Sequence, residues 1–123
     1  MKDQLFCATV LYPFKENASF DFELYSKTLI PKYVEILGEN CIQYEIRKGL
    51  TTPGAPAPGF ICIANFWIIP GEQFAAAMSD SRMKEVMEQI AAFTDIQPVR
   101  QFDVVISSGS KSGKIFTHGV RTQ

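Results

Sequence analysis

Residues 60–69 read FICIANFWII, and the placement of this stretch decides the fold. Its residues are β-branched, aromatic or small, and Asn65 is the single polar one. In a strand, alternate side chains point to opposite faces. Phe60, Cys62, Ala64 and Phe66 therefore share one face, and Ile61, Ile63, Asn65 and Trp67 share the other. Apart from Asn65 both rows are apolar, which marks a central strand that is covered from both sides.

Working outward, residues 41–48 (CIQYEIRK) alternate Ile42, Tyr44 and Ile46 with Gln43, Glu45 and Arg47, a strand with one wet face. Between the two strands lies GLTTPGAPAPGF, residues 49–60. Its prolines fix φ and its glycines permit positive φ, so the mixture encodes a shaped path or a spacer. Residues 4–12 (QLFCATVLY), stopped by Pro13, and residues 99–106 (VRQFDVVI) supply a first and a fourth strand.

Two helices complete the pattern. Asp21 is placed to cap the first, with Phe20 and Tyr25 as the two halves of a hydrophobic staple. Tyr25, Leu29, Tyr33, Ile36 and Leu37 keep helical spacing up to Gly38, the expected stop. Pro31 has no N–H and crowds the carbonyl of Lys27, so a kink or restart is expected near Leu29. The second helix is expected to open with Pro70 at its first position and to bury Phe74, Met78, Met83, Val86, Met87 and Ile90, with a phase break at Ser79-Asp80-Ser81.

The resulting order is β-α-β-β-α-β, an α+β domain of the ferredoxin-like kind: a four-stranded antiparallel sheet with two helices on one face. Residues 1–106 form this domain and residues 107–123 a polar tail, in which Ile115, Phe116 and Val120 are docking candidates. Two helices cover one sheet face, so the second apolar face of strand three needs another layer, most simply a second copy paired sheet to sheet.

Composition narrows the function classes. The chain has 123 residues, 46% of them hydrophobic, enough for one core, and a formal charge of -1 from 12 basic and 13 acidic residues. That balance gives no electrostatic footprint for nucleic acid or an anionic membrane. With neither a signal-peptide pattern nor an apolar run long enough to span a bilayer, a cytoplasmic protein is expected. Cys7, Cys41 and Cys62 lack metal or disulfide spacing and read as small core residues. The single histidine, His118, lies in the tail, so no metal site and no cofactor is expected. Residues 109–114 (GSKSGK) fail as a phosphate loop, because the spacing is short and Ile115 stands where Ser or Thr would coordinate magnesium.

An ordered series of residues resembles the EthD family, small dimeric α/β-barrel proteins whose founding member is tied to ether breakdown. The series runs through Leu11-Tyr12-Pro13, Phe20-Asp21, Tyr25, Pro31 and Leu37-Gly38, then Arg47 with Gly49-Leu50, Pro53-Gly54 and Pro56-Ala57-Pro58. It closes with Phe74, Thr94-Asp95-Ile96 and Pro98. The resemblance implies a dimeric α/β barrel, a homodimer through the sheet face, and a proline-glycine loop lying near a cleft. Family members commonly carry histidines at the positions held here by Leu29 and Asn65, so a histidine proton shuttle is missing.

Asn65 is the polar residue that most needs explaining, since a buried carboxamide must find partners. It is read as a structural hydrogen-bonding group or as an orienter of a ligand carbonyl. Trp67 is core or a stacking surface, and Tyr12 and Tyr25 offer phenols with wet tips. With Leu29 and Asp103 they make up the candidate site: Asn65 and Tyr12 for catalysis, Trp67, Tyr25, Leu29 and Asp103 for ligand. Arg47 and Arg100 read as surface ion-pair donors, either of which could hold a carboxylate forkwise. The expected function is a small-molecule enzyme or binder acting on a small hydrophobic or aromatic metabolite, of lyase, isomerase or cyclase type. The alternatives are a cofactor-free monooxygenase of phenols and a non-catalytic binding or accessory module.

Overall fold

Strand β1 (Phe6–Pro13) opens the fold in the computed structural model, which describes residues 5–109. Strands β2 (Cys41–Lys48), β3 (Phe60–Ile68) and β4 (Val99–Val104) join it in one antiparallel sheet of order β2-β3-β1-β4. This is the ferredoxin-like order, with β3 and β1 central and β2 and β4 at the edges. The tail read at residues 107–123 lies outside the described residues from position 110 onward, His118 included.

The first helical segment begins as the sequence dictates. Asp21 has extended backbone and its Oδ1 accepts the Leu24 N–H at 3.0 Å, capping α1 (Phe22–Leu24). Phe20 and Tyr25 meet with ring centroids 5.3 Å apart, closing the staple. Pro31 acts one turn ahead of itself. The backbone widens into a π-helical turn over Tyr25–Leu29, with the Ile30 N–H donating to the Tyr25 carbonyl, and a regular helix, α2 (Ile30–Leu37), restarts with proline in its first turn. Gly38, at φ 63°, ends it.

The second helix departs from expectation in two places. Pro70 is not at the first helical position: α3 (Glu72–Met78) starts at Glu72, and its N-cap is Gly71, whose φ of 139° suits only glycine. Asp80 then caps a separate helix, α4 (Ser81–Ala92), accepting the Arg82 N–H at 2.8 Å, so the expected phase break is a full interruption. In consequence Met78 ends α3 exposed rather than buried, while Met83, Val86 and Ile90 enter the core. Strand β4 ends at Val104, two residues short of expectation.

The core lies between the sheet and the helices. Cys62, Ala64, Phe66 and Ile68 of β3 share one cluster with Leu29, Ile30 and Leu37 of the first helical segment and with Met83, Val86 and Ile90 of α4. A bulge at Ile42, where Cys41 faces Ile68 but Gln43 already faces Trp67, turns this edge residue out to 54% exposure. Tyr44 and Ile46 keep the inward positions foreseen for them.

The loop after β2 is shaped. Gly49 donates to the Ile61 carbonyl at 2.8 Å, Ala55 closes a turn onto the Thr52 carbonyl at 3.1 Å, and Gly54 has φ 80°. No helix among the described residues is long and apolar enough to cross a membrane.

Candidate functional site

Sheet register sorts the candidate residues onto opposite faces. On the open face, strand pairing aligns three rows across all four strands. Arg47, Ile63, Leu11 and Val99 form one row. Glu45, Asn65, Thr9 and Gln101 form the next, and Gln43, Trp67, Cys7 and Asp103 the third. The middle row is wholly polar, and its neighbours tie it together.

Thr9 and Asn65 are both buried, with the Thr9 hydroxyl 2.8 Å from the Asn65 carboxamide. The amide orientation that satisfies both its atoms points nitrogen at Thr9 Oγ1 and oxygen at the Arg47 guanidinium, at 3.1 and 3.2 Å. Thr9 in turn donates to Asp103 Oδ2 at 3.3 Å, and Gln101 Nε2 donates to Asp103 Oδ1 at 2.8 Å. Arg47 also pairs with Glu45 at 2.6 Å, the surface ion pair foreseen for it. A continuous polar chain thus crosses the sheet from β2 to β4, with the Cys7 thiol, raised in pKa chiefly by burial, 3.7 Å from Thr9 Oγ1. Asn65 and Asp103 are both held by protein partners.

Tyr12 and Tyr25 lie on the other side of the sheet, against the helices. Both are 1% exposed, so the expected wet tips are not there. Tyr12 packs edge-on to Phe20, Tyr25 and Phe93, and Tyr25 stacks on Phe93 at 5.0 Å. Burial pushes both phenols up in pKa, Tyr25 far above its ordinary range. For Tyr12, the neighbouring Tyr25 hydroxyl and the Arg100 charge pull the other way. Tyr12 Oη is buried, and among the described residues it makes no hydrogen bond of ordinary length and angle, the Tyr25 hydroxyl being close enough to act on it only weakly.

Tyr12 is one of the residues lining a cavity of about 120 Å³ between the sheet and the helices, some ten times the volume that one water needs. Tyr25, Tyr33, Phe66, Met87 and Ile90 line it with Tyr12, and the exposed Arg100 and Phe102 form its rim. Burial raises the Tyr33 phenol as well. Among the described lining residues there is no histidine and no carboxylate.

Of the sequence candidates, Tyr12 and Tyr25 are thus brought together at a cavity, and Asn65, Trp67 and Asp103 share the opposite face. Leu29 is buried in the core and is not on the cavity wall. The proline-glycine loop, expected near the cleft, contributes no lining residue; it leaves the sheet beyond β2, with Leu50 82% exposed. Thr9, Tyr33 and Arg100 were not singled out as site residues. Thr9 hides in an apolar run and Tyr33 in the core periodicity, and Arg100, expected as a surface ion-pair donor or a fork for a carboxylate, pairs with no carboxylate among the described residues. Among those residues no three His, Cys, Asp or Glu side chains come together to hold a metal ion.

Sheet order, helix placement and helix-side cavity define the class as a ferredoxin-like α+β domain. Solved structures share it. An EthD-like protein from Ralstonia eutropha JMP134 is 32% identical, with a TM-score of 0.75 over 89% of this chain and 98% of that one. This chain belongs to the EthD-like family. An EthD (ethyl tert-butyl ether D) family protein from Bacillus halodurans C-125 shares the fold at 15% identity, with a TM-score of 0.63 and coverage of 84% and 100%. A hypothetical Arabidopsis thaliana protein does so at 16% identity, with a TM-score of 0.56 and coverage of 89% and 97%. No protein-family model matches the chain, and no curated protein does.

Proposed function

We propose that this chain binds a small, largely apolar metabolite in the helix-side cavity and polarises a carbonyl or similar acceptor on it through the Tyr12 hydroxyl. The observation that carries this reading is that Tyr12, whose buried oxygen makes no hydrogen bond of ordinary geometry among the described residues, lines an apolar cavity. A buried donor without a partner costs roughly 1–3 kcal/mol, a cost that a ligand acceptor would remove. A phenol with a raised pKa stays protonated and therefore donates. Such a donor suits the carbonyl polarisation that a lyase, isomerase or cyclase employs. With neither a histidine nor a carboxylate among the described lining residues, the cavity supplies the hydrogen bond and not the base. Binding with polarisation is thus the function that the geometry supports best, ahead of phenol oxidation, for which Asn65 and Trp67 would have to face the ligand.

The test is a thermal-shift series with small aromatic and alicyclic ketones, lactones and acids. Bound ligand raises the melting temperature through linkage. At least one class is expected to stabilise the wild type, to stabilise Tyr12→Phe less, and to lose its effect in Met87→Trp, which fills the cavity. Equal stabilisation of all three proteins, or of none, would remove the reading.

The same proposal includes a homodimer through the open sheet face. Half-buried Leu11, Ile63 and Trp67 spread over that face beside the polar row, more apolar surface than a lone sheet face leaves to water. A second copy would cover them.

A further inference from the structure

The cavity described above has one charged group on its wall, Arg100, and no carboxylate among its described lining residues. On β4, Arg100 stands opposite Val10 of β1, on the helix side of the sheet. It forms no ion pair with any described carboxylate, whereas Arg47 and Arg82 each hold one, at 2.6 and 3.0 Å. A guanidinium left over at the rim of an apolar cavity offers a planar fork of donors, the geometry that matches a carboxylate or a comparable oxyanion.

We infer that the ligand of this cavity carries an acidic group, a carboxylate or enolate, held by Arg100 at the rim while its apolar body lies against Phe66 and Met87 and its neutral acceptor reaches Tyr12. The inference rests on the cavity reading and adds the chemical class of the ligand to it. Three features agree. The wall is otherwise uncharged, so an anion meets one attractive charge and no repulsive carboxylate among the described residues. Arg100 favours the ionised form of Tyr12, Tyr25 and Tyr33, although burial dominates each of them, so its field reaches across the cavity. Finally, Arg100 and Phe102 at the rim are exposed, which lets a charged end stay partly hydrated while the apolar end is buried.

The experiment compares 4-butylbenzoate with 4-butylbenzamide, nearly equal in shape and different in charge, by titration calorimetry on wild type, Arg100→Gln, Arg100→Lys and Met87→Trp. Wild type is expected to bind the acid about tenfold more tightly than the amide, since charge-assisted bonds are roughly twice as strong as neutral ones. Arg100→Gln should bring both to the amide level. Arg100→Lys should keep part of the preference, because charge remains and the fork is lost. The preference should also shrink at high salt. If the amide binds wild type as well as the acid does, or if Arg100→Gln keeps the preference, the acidic-ligand inference is overturned. Amide binding that Met87→Trp abolishes would then leave the cavity reading standing. If neither probe binds wild type, both fail together.

Discussion

Asn65 and Thr9 stand opposite each other on β3 and β1, both buried, their side chains joined at 2.8 Å on the sheet face that looks away from the cavity. Cutting this bond leaves a buried hydroxyl with one partner fewer, and replacing Asn65 also releases the Arg47 guanidinium. Asn65→Ala is expected to cost about 1–3 kcal/mol in urea unfolding. Thr9→Val with Asn65→Leu should cost less than the two single changes added together, since both polar partners go at once. Ligand affinity of the helix-side cavity should be unchanged in Asn65→Ala, and a tenfold loss there would place Asn65 back in the site.

Tyr12 predicts the reverse pattern. Its hydroxyl makes no hydrogen bond of ordinary geometry among the described residues, so Tyr12→Phe removes a buried donor that is poorly satisfied. The ligand-free protein should be as stable as wild type, or more stable by up to about 1 kcal/mol, while ligand affinity falls. Urea midpoints with and without ligand distinguish this from a tyrosine that merely packs, which would change neither.

These two residues also show how far the sequence was legible. The strand patterns of β3 and β1 place Asn65 and Tyr12 correctly in their elements, because strand period and proline stops are local signals. Whether they face each other depends on register and on which side the helices pack, and these are set by long-range pairing. Hence Asn65, Trp67 and Tyr12 read as one site in the sequence and lie on two faces in the fold. The π-helical turn was legible through Pro31, and the Ile42 bulge was not, since nothing in CIQYEIRK disturbs its alternation. Arg100 is legible as an ion-pair donor or a fork for a carboxylate; its lack of a carboxylate partner among the described residues is a tertiary fact.

The loop at residues 49–59 can be tested through two glycines with different roles. At Gly49 a Cβ would run into the Phe60 carbonyl oxygen and come within 2.9 Å of Pro58 Cγ, whereas at Gly54 it would meet open space but sit at φ 80°. Gly49→Ala is expected to destabilise by about 1–3 kcal/mol through overpacking, and Gly54→Ala by about 1–2 kcal/mol through left-handed backbone strain. Gly54→Asn should recover much of the second loss, because asparagine tolerates that conformation, and Gly49→Asn should recover none of the first. Equal rescue at both positions would mean that the loop is not held as described.

Stability should decline on the alkaline side. Burial pushes the Cys62 thiol up to about 12 and Cys41 to about 11, from an ordinary value of 9.0. Tyr12, Tyr25 and Tyr33 shift in the same direction. In the unfolded chain these groups lose protons first, so above pH 9.0 unfolding releases protons and becomes progressively easier. Their contribution is fully present below that pH and is lost as the pH rises toward the folded values. The urea midpoint should fall from about pH 9 upward, and less steeply in Cys62→Ala. A midpoint that holds constant to about pH 11 would contradict the assignment.

The open sheet face gives the last expectation. Ile63 and Leu11 are direct neighbours on β3 and β1 in the apolar row, half-buried in the single chain and flanked by Arg47 and Val99. If a second copy covers this row, a charge at its centre is buried on association and left without a partner. Ile63→Glu should therefore convert a dimer into monomers in sedimentation velocity while each monomer keeps its fold. Met87→Trp, on the cavity side, should leave the dimer intact. The Trp67 side chain lies on this face too, so its fluorescence should shift to the red as Ile63→Glu exposes it to water. If wild type sediments as a monomer at micromolar concentration, the proposed dimer is wrong and the polar chain from Arg47 to Asp103 serves to make an open sheet face tolerable in water.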